Sequence, residues 1–429
     1  MKFMTPTKSL IEKSFGMLYY STSYEGINGR IRIIPEDFIV EEITPEGIIV
    51  NEELRKLDRG KGKVTLAVLK KISKPLLLTI SILRKKIRGK ISFAGIKDRR
   101  AITYQLISIN KPFEKEIEME GIKLWTIGRS KWEIYPGELN GNRFTITIRC
   151  LENFPKSINI KWLPNYFGHQ RFGISRPNTH KIGKLLIKGD FEGAIKEFLA
   201  EPYEGEPYYF ERMKLKETWD LKLALETFSN ELIYEKMIIE ALIHGEKPEN
   251  AFLKLPKQLI RLFIEAYQSY IFNLALSERW KRIGLFQIEN GDYVAMLDSY
   301  NNPSIPIEVN TNNLEKLQKM VKIGRAVILM PIPGVKTKLR GINEEIYEKI
   351  FLNEKIEFKN LIELGISIKG TLRPAVFYPL NFEILNISND EKFEGKIKAT
   401  IRFSLPKGSY ATILLRELIK PSNPREVGF

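Results

Sequence analysis

The chain has 429 residues, with 68 Lys and Arg against 52 Asp and Glu, a formal net charge of +16. That length predicts two or three domains, and the 43% hydrophobic fraction excludes global disorder. One cysteine and three histidines exclude a disulfide framework and argue against a zinc site. No apolar run reaches the ~18–20 residues of a membrane helix. A soluble, metal-free, cytoplasmic protein is the expectation, since the first residues also lack the apolar core of a signal peptide.

The first 150 residues hold 28 basic and 17 acidic side chains, so they supply +11 of the +16. Arg30 to Ile33 alternates and predicts a strand, Pro35-Glu36-Asp37 a turn, and Phe38 to Ile43 a second strand. Val64, Leu66 and Val68 alternate again. A helix is expected from Ser73-Lys74-Pro75, with Ser73 as its cap, ending at Gly89. Its last turns gather Arg84, Lys85, Lys86 and Arg88. Cations there suit the negative end of a helix dipole. Eight basic residues and the single acid Asp98 lie between Arg84 and Arg100. A short strand is expected at Ile91–Ala94, followed by a turn and a longer strand through Ile109. Arg143 to Arg149 alternates most cleanly. Cys150 ends that strand and is expected as core filler.

Beyond about residue 163 the pattern turns helical. Asp190 precedes a helical face at 191, 194, 195, 198 and 199. A long helix spans Leu259 to Ile283, and Leu314, Leu317, Met320 and Val321 mark another. Strands return after Arg373-Pro374, at Lys396 to Phe403. A β-rich start, a helical middle and a β-rich end predict one domain with a second inserted into it.

No phosphate-binding loop, dinucleotide fingerprint or nucleophile elbow is present, which removes support from ATP-driven, nicotinamide-dependent and serine-hydrolase functions. A basic domain points to a polyanion, nucleic acid first. In Gly95-Ile-Lys-Asp98-Arg-Arg, one carboxylate stands among Lys97, Arg99 and Arg100. It is either a solvated hairpin tip or a nucleophile or base on the floor of a cationic groove. Aromatics beside Asn and Arg in Gly141-Asn142-Arg-Phe144 and in Asn165-Tyr-Phe-Gly-His-Gln-Arg171-Phe-Gly173 suit stacking and edge-reading of an unpaired base.

These segments carry a resemblance. Pro35-Glu-Asp-Phe38-Ile-Val-Glu41, Phe93-Ala-Gly-Ile-Lys-Asp98-Arg99 through Gln105, Gly141-Asn142-Arg-Phe144, Asn165 to Gly173, and Leu405-Pro-Lys-Gly-Ser-Tyr-Ala-Thr-Ile-Leu-Leu-Arg416-Glu417 stand in the order of the TruD family of pseudouridine synthases. They span residues 35 to 417, so the chain resembles that family over nearly its whole length. The resemblance implies an α+β pseudouridine synthase fold, a mostly antiparallel sheet with a central cleft and an inserted α/β domain. The expected division is residues 1–161, the insert 162–372, and 373–429. It implies isomerisation of a tRNA uridine, usually uridine 13, by a monomer without a cofactor. Asp98 takes the catalytic position, as nucleophile on the anomeric carbon or as base on the ribose 2′ carbon. Phe144 takes the place of a ring stacked on the target base, with Asn142 as polar partner helping to orient Asp98, and Phe38 nearby. Arg32 supplies a cation where some members have lysine. Lys97, Arg99, Arg171, Lys407 and Arg416 are candidates for holding the RNA, and His180 has a structural or RNA-contact role. The alternative is a tRNA-binding or RNA-folding protein on the same scaffold, for which Asp98 would be dispensable.

Overall fold

The computed structural model describes residues 4–155, 157–335, 337–357, 368 and 370–429. Segments from both ends of the chain build one large sheet. Its spatial order is Leu380–Asn389, Ile397–Pro406, Gly141–Leu151, Phe38–Ile43, Ile102–Ile109, Val64–Ile72, Ile122–Ser130, Ile117–Met119. Ile91–Phe93 adds to Ile102–Ile109 off that path. Every pairing is antiparallel except Phe38–Ile43 against Ile102–Ile109.

Strand alternation sends the two sets of side chains to opposite faces. Leu66, Val68, Leu106 and Trp125 gather in one cluster. Ala67, Leu69, Ile107 and Leu124 form another with Leu76, Ile80, Leu83 and Ile87. Those last four, spaced by 4, 3 and 4 residues, are the buried stripe of the helix Leu76–Ile87. Gly141 opens the longest strand because nothing larger fits: a Cβ there would lie 2.1 Å from the Leu405 carbonyl oxygen.

Three sequence expectations fail here for local reasons. Arg30 to Ile33 is not a strand. Only Arg30 pairs, in an isolated bridge to Arg149, because Arg32 turns into the left-handed region at φ 59°. Ser73 does not cap its helix. It too is left-handed, and the helix starts at Leu76 behind Pro75 with no side-chain cap. Cys150 is half-buried at a left-handed kink, with its N–H donated to Asp390, so it is no core filler.

Between the two parts of the sheet the chain is mainly helical. Asp190 caps the helix Phe191–Leu199 by accepting from the Gly193 N–H at 2.8 Å. The helix Lys257–Arg282 runs along this region and ties it to the sheet-forming part: Asn273 donates to the Phe15 and Phe167 carbonyls, and Ser277 to that of Gly16. A small antiparallel sheet of Ile307–Glu308, Tyr293–Met296, Ala326–Ile332 and Thr371–Pro374 accompanies the helices. Among the described residues no helix is long and apolar enough to cross a membrane.

Candidate active site

Asp98 lies in the loop joining Ile91–Phe93 to Ile102–Ile109, so two paired strands fix the loop at both ends. Its carboxylate accepts from Arg32 Nη2 at 3.0 Å. The Asp98 side chain is 28% exposed and that of Arg32 only 2%. The guanidinium lies 4.2 Å over the Phe38 ring and reaches the Gly428 carbonyl at 3.4 Å. The Gln170 amide, turned so that its oxygen faces inward, accepts from it at 3.1 and 3.3 Å. Burial lowers the Arg32 pKa and Asp98 opposes that effect. The left-handed turn that breaks the expected strand thus occurs at the very cation that meets Asp98.

A second cation lies outside the set expected from the sequence. Lys71 is fully buried and its Nζ donates to the Asp98 backbone carbonyl. Burial pushes its ammonium down to about 8; Asp98 opposes this and Lys97 adds to it. Lys71 stands opposite Thr103 in register and on the same face as Leu69. A lysine two residues beyond Leu69, at an inward position of an apolar strand, is the signal that could have found it.

Lys97 departs from its expected role. It is buried, paired with Glu42 at 2.6 Å, and donates to Asn142 Oδ1 at 2.7 Å. Glu42 and Asn142 are cross-strand neighbours, so the sheet register builds this triad. Its ammonium is satisfied inside the protein and unavailable to a phosphate. Asn142 therefore braces the Asp98 loop through Lys97 rather than touching Asp98.

A cavity of about 790 Å³ opens beside Asp98. Phe38, Phe144, Asn142, Lys97, Arg99 and Lys407 all line it. Phe144 is 4% exposed, stacked on Phe403 at 5.5 Å and edge-on to Phe38 at 6.2 Å. Arg99 and Lys407 are exposed at the rim. Arg171 lines a neighbouring cavity that meets this one at Lys407, Gly408 and Ser409, and it donates to Ser269 and Glu265.

Arg416 does not belong to the site. It is fully buried, bonded to Glu12 at 2.8 Å and to the Met17 and Tyr19 carbonyls, with the Tyr20 ring 4.0 Å away. No RNA can reach it. His180 is likewise enclosed by the Phe15, Phe172 and Tyr270 rings, and burial holds its pKa down to about 3. It is a neutral core residue.

A largely antiparallel sheet assembled from both ends of a chain, with a helical segment between them in sequence and one acid in an open cleft, has the architecture of the pseudouridine synthases. The model of the family tRNA pseudouridine synthase D (TruD) matches residues 14–418. A "Probable tRNA pseudouridine synthase D" of Methanosarcina acetivorans is 38% identical, covering 96% of this chain and 97% of its own. One of Archaeoglobus fulgidus is 35% identical, covering 96% and 99%. The crystal structure of the TruD protein of Methanosarcina mazei superposes with a TM-score of 0.78 at 33% identity, over 97% of this chain and 99% of that one. The chain belongs to the TruD family and is a tRNA pseudouridine synthase.

Proposed function

We propose that this enzyme isomerises uridine 13 of tRNA, without a cofactor, and that Asp98 is its catalytic residue. The observation that carries this reading is the half-open Asp98 carboxylate, fixed by a buried arginine and facing a cavity floored by phenylalanines. Asp98 is the one acid among the described residues lining that cavity, and Glu42 behind it is spent on Lys97. The uridine leaves its stack, at a cost of a few kcal/mol, and enters the cavity beside Phe144. The bond from ribose C1′ to uracil N1 breaks, the ring turns, and C1′ bonds to C5. The C5 proton moves to solvent and N1 gains one, so atoms and electrons balance with no oxidant or energy source. Asp98 serves either as nucleophile on C1′, giving a covalent intermediate, or as base on the C2′ proton, giving a glycal. Slower single-turnover conversion of 2′-deuterated uridine selects the second route, and a covalent Asp98–ribose adduct the first.

Arg32 keeps the carboxylate aimed, while Lys71 and the Glu42–Lys97–Asn142 triad hold the loop. Arg99 and Lys407 stand where phosphates would enter. The protein acts as a monomer in the cytoplasm. A division into a split catalytic domain, 1–161 and 373–429, and an insert, 162–372, is supported at its first boundary, where the large-sheet strand Gly141–Leu151 ends and the mainly helical part follows; at the second boundary the strand Thr371–Pro374 pairs with Ala326–Ile332 of the insert. The test is incubation of pure protein with unmodified tRNA followed by pseudouridine mapping. Product at position 13 supports the reading; product elsewhere overturns the target, and no product overturns the activity.

A further inference from the structure

We propose that the segment Lys131 to Pro136 is a stacking platform for an unpaired stretch of the substrate RNA next to the flipped uridine. The proposal rests on the tRNA reading above. Trp132 is 80% exposed and Tyr135 64% exposed, yet both stand on a rigid backbone. The Trp132 N–H donates to Ser130 Oγ, the Ile134 N–H to Ser108 Oγ, and the Tyr135 N–H to Glu138. Buried Ile134 between them anchors the segment in the core. Two large rings held out into water on a fixed backbone leave most of their apolar area uncovered in the free protein. They are already placed to take a flat partner with little ordering cost.

The surroundings identify that partner. The rings line an open groove of about 670 Å³ together with Arg84, Lys90 and Lys131. Its acid, Glu133, is occupied by Lys90 at 2.8 Å and by Ser92. Aromatic faces among cations are the chemistry of single-stranded RNA binding, with bases on the rings and a phosphate on Lys131. The groove also adjoins the catalytic cavity across a ridge. Phe93 lines the groove and the next residue, Ala94, lines the cavity; Pro136 and Gly137 repeat that step on the facing segment. The Gly137 N–H donates to the Ala94 carbonyl at 2.7 Å, which joins the two segments at the ridge. RNA leaving the cavity over this ridge meets Tyr135 and then Trp132.

The test measures binding of unmodified tRNA transcript and of a labelled oligouridylate to the wild type and to Trp132→Ala, Trp132→Phe, Lys131→Ala and the double variant Trp132→Ala/Tyr135→Ala. Alanine at 132 should weaken binding by about 5- to 150-fold. The melting temperature should not move, because the ring is in water. Phenylalanine should restore most of the affinity. Lys131→Ala should reduce the salt slope by about 0.7, whereas Trp132→Ala leaves it unchanged. Wild-type RNA affinity in the double variant overturns the proposal, and a changed self-association in its place assigns the rings to a protein contact. The two readings fail separately. If the wild type makes no pseudouridine but the alanine loss persists, the isomerase assignment falls and the platform stands. If pseudouridine forms and the double variant binds tRNA normally, the platform alone falls.

Discussion

Two polar centres in this molecule have similar ingredients and opposite surroundings. Around Asp98, a carboxylate meets the buried cation Arg32 but keeps 28% of its side chain open. Around Glu12, a carboxylate meets Arg416 and His169 with no exposure at all. Burial alone would raise the Glu12 pKa, but Arg416 and His169 outweigh it and hold the group at about 2. Both centres draw on motif-dense sequence, and only the first can touch a substrate. The second is a clamp: Glu417 accepts from the Ser21 and Thr22 N–H groups, Asn165 accepts from Arg373, and the Tyr166 hydroxyl bonds Ser277. The longest motifs here position the cleft from behind. Solvent access, not motif density, separates chemistry from architecture.

The largest effect is expected from a one-atom change in the acid of the open centre. Asp98→Asn keeps an oxygen for Arg32 but removes the charge. Pseudouridine formation should fall by about 10²–10⁴-fold or more, with tRNA affinity kept or slightly raised. Retention of more than a small fraction of turnover would remove Asp98 from the chemistry.

The clamp should answer in stability instead. Arg416→Met leaves Glu12 buried without its cation and should cost about 3–5 kcal/mol, read by urea denaturation, while the folded fraction still turns over tRNA. In acid the wild type should show the same dependence. Glu12 has a depressed folded pKa, so its contribution is complete above the ordinary carboxylate value of 4.5 and is lost as pH falls toward 2. An Arg416→Met enzyme that folds normally but cannot bind tRNA would return Arg416 to the site.

Phe144 belongs to both worlds, since it lines the cavity and also stacks in the core on Phe403. Phe144→Ala should therefore slow single-turnover isomerisation by about ten- to a hundred-fold and also destabilise the fold by about 3–5 kcal/mol. Phe144→Tyr separates the two. If the ring edge reaches the cavity, the added hydroxyl meets water or RNA and both activity and melting temperature stay near wild type. A large stability loss from tyrosine would make Phe144 core alone.

What could be read without the structure follows the reach of each signal. The strand around Arg143–Arg149 is legible because alternation is local, Phe38–Ile43 because it follows the turn residues Pro35-Glu36-Asp37, and the Asp98 segment because one acid among cations is local too. The edge strand Leu380–Asn389 escaped because two register shifts interrupt its period. Arg416 and Lys97 were misassigned as RNA contacts because a cation's partner comes from elsewhere in the chain, Glu12 in one case and Glu42 in the other. Lys71 was passed over because the alternation noted in its strand, Val64, Leu66 and Val68, marks the opposite face.

Lys71 gives the smallest expected effect and one whose sign is diagnostic. Its pKa is depressed by burial to about 8, so it is charged at neutral pH and bonded to the Asp98 carbonyl. As pH rises through 8 that charge disappears, and the loop carrying Asp98 loses a strong donor. Turnover should fall by a few-fold. Stability should move the other way. Between about 8 and the ordinary lysine value of 10.5, the unfolded chain binds a proton that the folded chain does not, so the Lys71 contribution to stability rises with pH over that window. Lys71→Met should remove both slopes while lowering turnover at pH 7 to the wild-type level at high pH. The uracil's own titration is shared by both proteins, so it cancels in the ratio of their rates. A rate ratio flat from pH 7 to 9.5 would show that Lys71 carries no charge that the Asp98 loop uses.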